Sequence, residues 1–253
     1  MSRGLGDVYK RQATAFDNFC EDYLKNQKIN ELIICSKGIS KNGDFISNLI
    51  KKKLNLKNYH FLSGPSFADE VLYGKPTALS LSSNKLNKNI GNIFKDTNIR
   101  IYYSEGYKTL EFLGILKNIY AIGAGIIDAE SLGQNARAAY ITRCIVEIKS
   151  MLKSLNLNTN MIYSLGGIGD LILSCSSNKS RNYNFGFCFE KKSKYKTLKP
   201  KTIEGINSCL NIKNNKKINI SKFPIINSVI KIINGSPPKK EIKILLNRKF
   251  KNE

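Results

Sequence analysis

The sequence has few of the residues that bind metals or cross-link a chain. It contains one histidine, His60, and no two cysteines are spaced as Cys-x-x-Cys, so no zinc site can be assembled. We therefore predict no metal centre, and we expect His60 to pack or cap near a strand. The cysteines are expected to be buried thiols in a reducing compartment. They are Cys20, Cys35, Cys144, Cys175, Cys188 and Cys209.

Long apolar segments are also missing. Residues 1–30 lack the apolar stretch of a secretory signal peptide. The most apolar segment, Ile119 to Ile127, is shorter than the roughly 20 residues that cross a bilayer. These absences predict a cytoplasmic protein with no membrane partner. Residues 1–12 show neither helical nor strand periodicity, and we treat them as a leader that is foreign to the fold.

Acidic side chains are scarce: 19 Asp and Glu stand against 41 Lys and Arg, which gives a formal net charge of +22. A basic surface can bind nucleic acid, and it can also attract a small anionic substrate. The lysines are scattered among Asn and Ile, as in residues 51–55 and 213–217, without interleaved aromatic residues. We therefore predict a small-molecule substrate and no nucleic-acid partner.

From residue 13 to about residue 105, short apolar segments alternate with helical ones. This alternation predicts a parallel, doubly wound α/β sheet. The expected strands are 32–35, 60–63, 77–82 and 100–104. The expected helices are 43–54, one that starts at an N-cap on Ser66, and about 85–95.

From about residue 106, long helical patterns replace the strands. Residues 110–127 are apolar almost all round, residues 135–153 are amphipathic, and a helical pair begins at Phe223-Pro224. The sequence therefore predicts an α/β domain over 13–105, followed by an all-α domain over 106–253.

Lys117 is the sharpest single feature. It follows Leu110 and Leu113 by seven and four residues, on the apolar stripe of its predicted helix. It is also the only charge between Glu111 and Asp128. Burial lowers the pKa of an ammonium group, which suits a proton donor or acceptor near neutral pH. The alternative is a lysine that extends its ammonium group to solvent at a domain edge.

Two positions near predicted strand ends suggest an anion site. Residues 64–68, Gly-Pro-Ser-Phe-Ala, form a strand–turn–helix junction whose backbone N–H groups can bind an anion. An ordinary turn is the alternative. Lys37 lies just past a strand end, where doubly wound sheets bind ligands, although a surface lysine is the simpler explanation.

Residues 165–182 form a dense polar cluster. Its glycines let the backbone approach a ligand, and Arg181 can bind a phosphate with two hydrogen bonds. Asp170 can pair with a lysine such as Lys117 and set its charge state. The alternative is a Gly-rich connector with a helix cap at Ser180.

Together these segments resemble the NAD(P)-dependent glycerol-3-phosphate dehydrogenases. Seven blocks occur in that family's order, and the resemblance extends from residue 13 to the C-terminus. The blocks are Ser36-Lys37-Gly38, Gly64-Pro65-Ser66-Phe67-Ala68, 116–125, Asn135-Ala136-Arg137 with Ile141-Thr142-Arg143, Gly169-Asp170-Leu171, Ser180-Arg181-Asn182 with Phe185-Gly186, and Ile203-Glu204-Gly205.

The resemblance implies that the first domain is part of a Rossmann-like domain. It implies reversible reduction of dihydroxyacetone phosphate to sn-glycerol 3-phosphate with NAD or NADP, for phospholipid synthesis. Lys117 is the implied general acid and Asp170 its orienting partner. The implied triose contacts are Lys37, Gly64, Ser66, Asn118 and Ser174. The implied phosphate contacts are Ser180, Arg181 and Asn182. The implied cofactor contacts are Lys37, Ala68, Arg181, Thr202 and Glu204.

The sequence departs from this family at its start, because the first half of the Rossmann domain, with its Gly-rich pyrophosphate loop, is missing. We therefore expect impaired turnover, and the sequence does not choose between NAD and NADP. A homodimer is left open. One alternative is an inactive basic relic that binds nucleic acid or acts as a scaffold. Another is a related two-domain enzyme, such as a 6-phosphogluconate or 3-hydroxyacyl dehydrogenase.

Overall fold

The computed structural model describes residues 15–25, 28–54, 56–85, 87–189 and 203–248. The expected leader, residues 1–12, lies outside the described residues. So does Thr202, one of the expected cofactor contacts.

Four strands form a single sheet in which neighbours in the chain are neighbours in space. Strands β1 and β2 pair in parallel, β2 and β3 pair antiparallel, and β3 and β4 pair in parallel. The expected strand positions are confirmed to within one residue. The strands are β1 (Leu32–Ile34), β2 (Tyr59–Ser63), β3 (Thr77–Ser83) and β4 (Ile99–Ser104).

Short helices connect the strands. Helix α1 (Phe16–Phe19) continues into a π-helical turn (Cys20–Leu24) before the sheet, and α2 (Ile46–Lys53) joins β1 to β2. Helix α3 (Ala68–Leu72) joins β2 to β3. The helix expected at 85–95 is a 3₁₀ segment, Lys88–Phe94.

The expectation of an all-parallel sheet is wrong at β2 and β3, and the length of α3 explains why. A parallel pair needs a connection that runs back along the whole strand. Helix α3 has five residues and spans about 7.5 Å, whereas the five-residue β2 extends about 16 Å. The eight residues of α2 span about 12 Å, which brings the chain back far enough for β1 and β2 to run parallel.

The N-cap expected at Ser66 is also wrong. Helix α3 begins at Ala68, and its N-cap Phe67 contributes no side-chain hydrogen bond. The Ser66 hydroxyl instead donates to the carbonyl of Gly64 at 3.1 Å.

Helices account for the rest of the described chain, and no strand follows β4 in the residues that the structure covers. The α/β part followed by an all-α part is therefore confirmed. The helices are α4 (Tyr107–Ala129), α5 (Gly133–Ser154), α6 (Asp170–Ser176), α7 (Arg181–Phe187), α8 (Glu204–Ile212), α9 (Pro224–Ile233) and α10 (Pro238–Leu246). A π-helical turn, Leu165–Gly169, leads into α6.

Helix α4 is the centre of the core and packs against α5, α6, α7, α8 and α9. By length and hydropathy alone it is able to cross a membrane, so the sequence argument from a shorter apolar segment was incomplete. However, 89% of its most apolar window is buried inside the protein, as in the core helix of a folded domain.

Two glycines let α7 lie directly against α4. A Cβ atom on Gly125 would overlap the Tyr183 carbonyl oxygen, and one on Gly186 would overlap the Ile122 carbonyl oxygen. The two helix backbones therefore approach more closely than any side chain at these positions permits.

The cysteines are not all buried. Cys35 is exposed and Cys188 is half-buried, which corrects the expectation of six buried thiols. His60 is fully buried, as expected for a packing residue. Its Nδ1 lies 2.5 Å from Ser83 Oγ and its Nε2 lies 2.6 Å from Glu31 Oε2.

Candidate active site

Lys117 and Asp170 form an ion pair at the junction of α4 and α6. The Lys117 ammonium donates to Asp170 Oδ1 at 3.0 Å and to Ser174 Oγ at 2.9 Å. Asp170 and Ser174 are four residues apart on α6 and therefore share one face of that helix. The pairing of Lys117 with Asp170 that the sequence suggested is thus present.

Lys37 reaches the same carboxylate from the loop that follows β1. Its Nζ lies 2.5 Å from Asp170 Oδ2 and 3.5 Å from the Gly64 carbonyl oxygen. Gly114 on α4 makes room for it, because a Cβ there would lie 3.3 Å from Lys37 Cγ. The Ser63 hydroxyl adds a further contact to Asp170 Oδ2 at 3.4 Å.

The cluster of Lys37, Lys117 and Asp170 is nearly buried and carries one positive charge in excess. The Asp170 side chain is 2% exposed, and those of Lys117 and Lys37 are 14% and 19% exposed. Each lysine therefore keeps a small surface through which an anion can approach. A ligand with negative charge would offset the excess within these three side chains, beside the Glu204 carboxylate, which also acts on the Lys117 ammonium.

Burial and charge act on the two central groups in different ways. Burial lowers the pKa of Lys117; the Asp170 carboxylate opposes this effect, and the Lys37 ammonium adds to it. Burial alone would raise the pKa of Asp170. The charges of Lys117 and Lys37 together outweigh it, so the pKa of Asp170 lies below its usual value. Asp170 is therefore ionised at neutral pH, beside an ammonium group that loses its proton more easily than usual.

A network of amides extends from this cluster to α7 and α8. Asn118 Nδ2 donates to Glu204 Oε2 at 3.2 Å and lies 3.4 Å from the Lys37 carbonyl oxygen. Asn182 donates to Asn118 Oδ1 at 2.9 Å and accepts from the backbone N–H of Gly205 at 3.0 Å. The start of α7 and the start of α8 are thus tied to the residue next to Lys117.

The remaining candidate residues lie around this network without joining it. Ser66, Ala68 and Arg181 are exposed, and Arg181 forms no hydrogen bond with any residue that the structure describes. Ser180 is buried and caps α7, accepting from the backbone N–H of Tyr183 at 3.3 Å. The cap that the sequence suggested at Ser180 is therefore confirmed.

Lys179 forms ion pairs that join the segment of Ala68 to the segment of Arg181. Lys179 Nζ lies 3.0 Å from Asp69 Oδ2 and 2.7 Å from Glu70 Oε1. Helix α3 is therefore connected to the loop that precedes α7.

A groove of about 700 Å³ lies elsewhere, between α4, α5, α9 and α10. Its lining is mostly apolar, and the carboxylate of Glu147 within it is already occupied. Glu147 accepts from the backbone N–H groups of Ile225 and Ile226, each at 2.8 Å, and from the Tyr120 hydroxyl at 3.0 Å. The groove therefore offers no free carboxylate at Glu147, whereas the cluster around Asp170 brings together the charged residues that the sequence singled out.

Comparison with known proteins shows the family of the chain. Residues 107–243 match the family model for the NAD-dependent glycerol-3-phosphate dehydrogenase C-terminus, and residues 12–89 match the model for the N-terminus of the same enzymes. The first of these matches alone covers more than half of the chain. The chain belongs to the NAD-dependent glycerol-3-phosphate dehydrogenase family.

Individual relatives give the same result. The chain is 33% identical over 235 residues to glycerol-3-phosphate dehydrogenase [NAD(P)+] of Campylobacter jejuni subsp. doylei, covering 89% of this chain and 79% of that protein. It is 35% identical over 201 residues to the Staphylococcus haemolyticus protein of the same name, covering 76% of this chain and 60% of the relative. A crystal structure of glycerol-3-phosphate dehydrogenase from Coxiella burnetii superimposes with a TM-score of 0.85 at 28% identity. That match covers 94% of this chain and 75% of the Coxiella chain.

Within this family member, sequence reasoning missed two parts of the site. It did not predict that Lys37 shares the Asp170 carboxylate, and it gave no place to Ser63 at the end of β2. The only signal for Lys37 and Ser63 was a position at or just past the end of a strand. Such a position does not show where Asp170, on a distant helix, lies.

Proposed function

We propose that the chain binds a triose phosphate beside Lys117 and takes part in the NAD(P)-dependent reduction of dihydroxyacetone phosphate to sn-glycerol 3-phosphate. The observation that carries this proposal is the pair of ammonium groups, Lys37 and Lys117, held by the single carboxylate of Asp170. Such a cluster attracts an anion and supplies a proton at the same place.

Lys117 is the proposed general acid. An ammonium group has three N–H donors, and two of them are used by Asp170 and Ser174. The third is left for the carbonyl oxygen of the substrate, which takes a proton when hydride adds to the carbonyl carbon. The lowered pKa of Lys117 favours this transfer, and the neutral amine serves as the base in the reverse direction.

The other substrate contacts are proposed from the family resemblance. Lys37, Gly64, Ser66, Asn118 and Ser174 would line the triose. The phosphate would contact residues at the N-terminal end of α7, where Arg181 can offer two N–H groups to one phosphate. Ser180 and Asn182 flank Arg181 in that segment.

The described residues fit only the part of a nicotinamide cofactor that faces the substrate. Ala68 and Arg181 are exposed, Lys37 belongs to the cluster, and Glu204 accepts from Asn118, the residue next to Lys117. No turn in the described ranges carries Gly-x-Gly-x-x-Gly, the sequence that binds the pyrophosphate. NAD(P)H supplies the hydride when bound, and the residues of this chain supply the proton and the substrate contacts.

We extend the proposal to the domain boundary, the cellular location and the partners of the chain. We place the boundary between the cofactor and substrate domains at residues 105/106, and we place the protein in the cytoplasm. Its partner is a small anionic substrate rather than nucleic acid or a membrane, and a homodimer is compatible with this assignment.

Calorimetric titration with sn-glycerol 3-phosphate tests the proposal, because this ligand binds without the pyrophosphate part of the cofactor site. We expect the phosphate ester to bind and glycerol not to bind measurably. Arg181→Met should weaken binding about tenfold or more, since a hydrogen bond to a charged group contributes about 1.5–3 kcal/mol. Arg100→Met, which removes an exposed arginine on β4, is the matched control. Equal affinities for glycerol and its phosphate ester would contradict the proposal.

A further inference from the structure

Helix α7 needs support from outside itself. It has seven residues and spans about 10 Å, which is too short for a helix that is stable on its own. It nevertheless carries Arg181 and Asn182, two of the proposed substrate contacts. Whatever fixes α7 therefore also fixes these side chains.

The contact of α7 with α4 is smooth. Because Gly125 and Gly186 bring backbone against backbone, no side chain at these positions interlocks the two helices. Polar contacts near its start therefore add to the backbone packing that limits sliding or rotation of α7. One of these is the hydrogen bond from Asn182 to Asn118.

The second polar contact is a cluster of Asp128, Arg137 and Tyr183, which we call the α7 anchor. The Tyr183 hydroxyl donates to Asp128 Oδ2, near the C-terminal end of α4. Arg137 on α5 donates to the same oxygen at 2.5 Å through Nη1, and to Gln134 Oε1 at 2.7 Å through Nη2. The side chains of Asp128 and Arg137 are 15% and 22% exposed, so the pair is less screened than a surface ion pair.

The two polar contacts tie adjacent residues of α7 to well-separated points on α4. Asn118 and Asp128 are ten residues apart on α4, or about 15 Å along its axis. Their partners, Asn182 and Tyr183, are adjacent on α7 and point about 100° apart. Together these bonds oppose both sliding and rotation of the short helix.

We infer that Asp128, Arg137 and Tyr183 are positioning residues that hold α7 so that Arg181 and Asn182 meet the phosphate of the substrate. This inference rests on the function proposed above. The blocks that carry the family resemblance include Arg137, but the proposed chemistry gives that residue no role. None of the three residues contacts the Lys117 cluster directly, so each acts through the placement of α7.

The anchor is expected to work over a wide pH range. Burial and the neighbouring Asp128 carboxylate raise the pKa of Tyr183 to about 12, so its hydroxyl remains a donor at ordinary pH. A variant without this hydroxyl therefore loses one hydrogen bond and no group that titrates at ordinary pH.

Tyr183→Phe tests the inference by removing only the hydroxyl. Binding of sn-glycerol 3-phosphate and of inorganic phosphate is measured by calorimetry, well below the unfolding temperature. We expect both dissociation constants to rise by a similar factor, about three- to tenfold, the loss of about one hydrogen bond. A merely structural role would lower the unfolding temperature and leave both constants unchanged.

Three further variants complete the experiment. Tyr73→Phe is the matched control, because Tyr73 is 78% exposed and far along the chain from α7. Arg137→Met should weaken binding, and Arg137→Lys should restore part of it by keeping the charge beside Asp128. If Tyr183→Phe does not fold, the two Arg137 variants decide the question.

The possible results are distinguishable. If the unmodified chain binds sn-glycerol 3-phosphate and the Tyr183 and Arg137 variants bind it equally well, the anchor has no positioning role and the proposed function stands. If the unmodified chain does not bind the phosphate ester, the proposed function fails and the inference fails with it.

Discussion

Replacing Asp170 by Asn leaves two ammonium groups close together without the carboxylate that holds them. Lys37 and Lys117 lie 2.5 Å and 3.0 Å from the two oxygens of this group. Breaking a buried ion pair by removing one partner costs about 3–5 kcal/mol. The side chains of Lys37 and Lys117 are 19% and 14% exposed, so water still solvates them in part. We therefore expect a loss of stability at the lower end of this range, about 3 kcal/mol.

The assay is thermal unfolding followed by circular dichroism. In a protein of this size 1 kcal/mol shifts the melting temperature by about 2–4 °C, so we expect Asp170→Asn to melt about 6–12 °C lower. Asp96→Asn, which removes an exposed carboxylate, should melt within about 2 °C of the unmodified chain, as expected for a surface change.

A second substitution separates charge repulsion from a simple packing defect. Adding Lys37→Met to Asp170→Asn removes one unpaired ammonium group and should restore part of the loss. Lys37→Met alone should lower the melting temperature less than Asp170→Asn does, because Lys117 and Asp170 remain paired. The reasoning is refuted if Asp170→Asn melts with the unmodified chain, or if Lys37→Met gives no recovery in the Asp170→Asn background.

Two further predictions concern stability. Burial raises the pKa of Glu111 to about 7, although its carboxylate accepts from the backbone N–H of Ser47 at 3.2 Å. The folded state therefore holds this proton more tightly than the unfolded state, and stability falls as the pH rises from about 4.5 to 7. Glu111→Gln should remove this dependence. The difference between the free energies of unfolding at pH 5 and pH 8, measured in urea, should then be about 2–4 kcal/mol smaller than in the unmodified chain. An unchanged difference would contradict the assignment. Gly125→Ala places a methyl group on the α7 backbone and should destabilise the chain by about 2–4 kcal/mol. Gly169→Ala is the control, because its Cβ would lie 3.5 Å from Pro65, and it should cost less than about 1 kcal/mol in the same urea titration. If Gly125→Ala costs as little as Gly169→Ala, the contact between α4 and α7 is not tight.

The sequence predicted those parts of the fold and site that depend on local pattern. Strand positions followed from apolar segments between turns, and Lys117 was identified because a lone charge interrupts an apolar stripe. Its pairing with Asp170 was also foreseen, since a buried ammonium needs a carboxylate. The helix cap at Ser180, which the sequence offered as the alternative to a ligand site, is present.

The rest depends on distances between segments that are remote in the chain. Lys37 is 133 residues from Asp170. Its place just past a strand end suggested a ligand contact, but nothing near Lys37 indicates that its partner is Asp170. Strand direction depended on whether α3 was long enough to return along β2, and the residue pattern indicated where that helix starts but not where it ends. The contact of Tyr183 with Asp128 depends on how closely two glycines allow the helices to approach.

The excess positive charge of the Lys37–Lys117–Asp170 cluster has a consequence for any work with this protein in solution. Binding of an anion to the folded state alone adds RT ln(1 + [L]/Kd) to the free energy of unfolding, about 2.7 kcal/mol at a hundredfold excess over Kd. A phosphate buffer is then a ligand as well as a buffer. Thermal shifts measured in phosphate and in a buffer without multivalent anions describe two different ligation states, and their difference reports how much of the site's charge balance a solute provides.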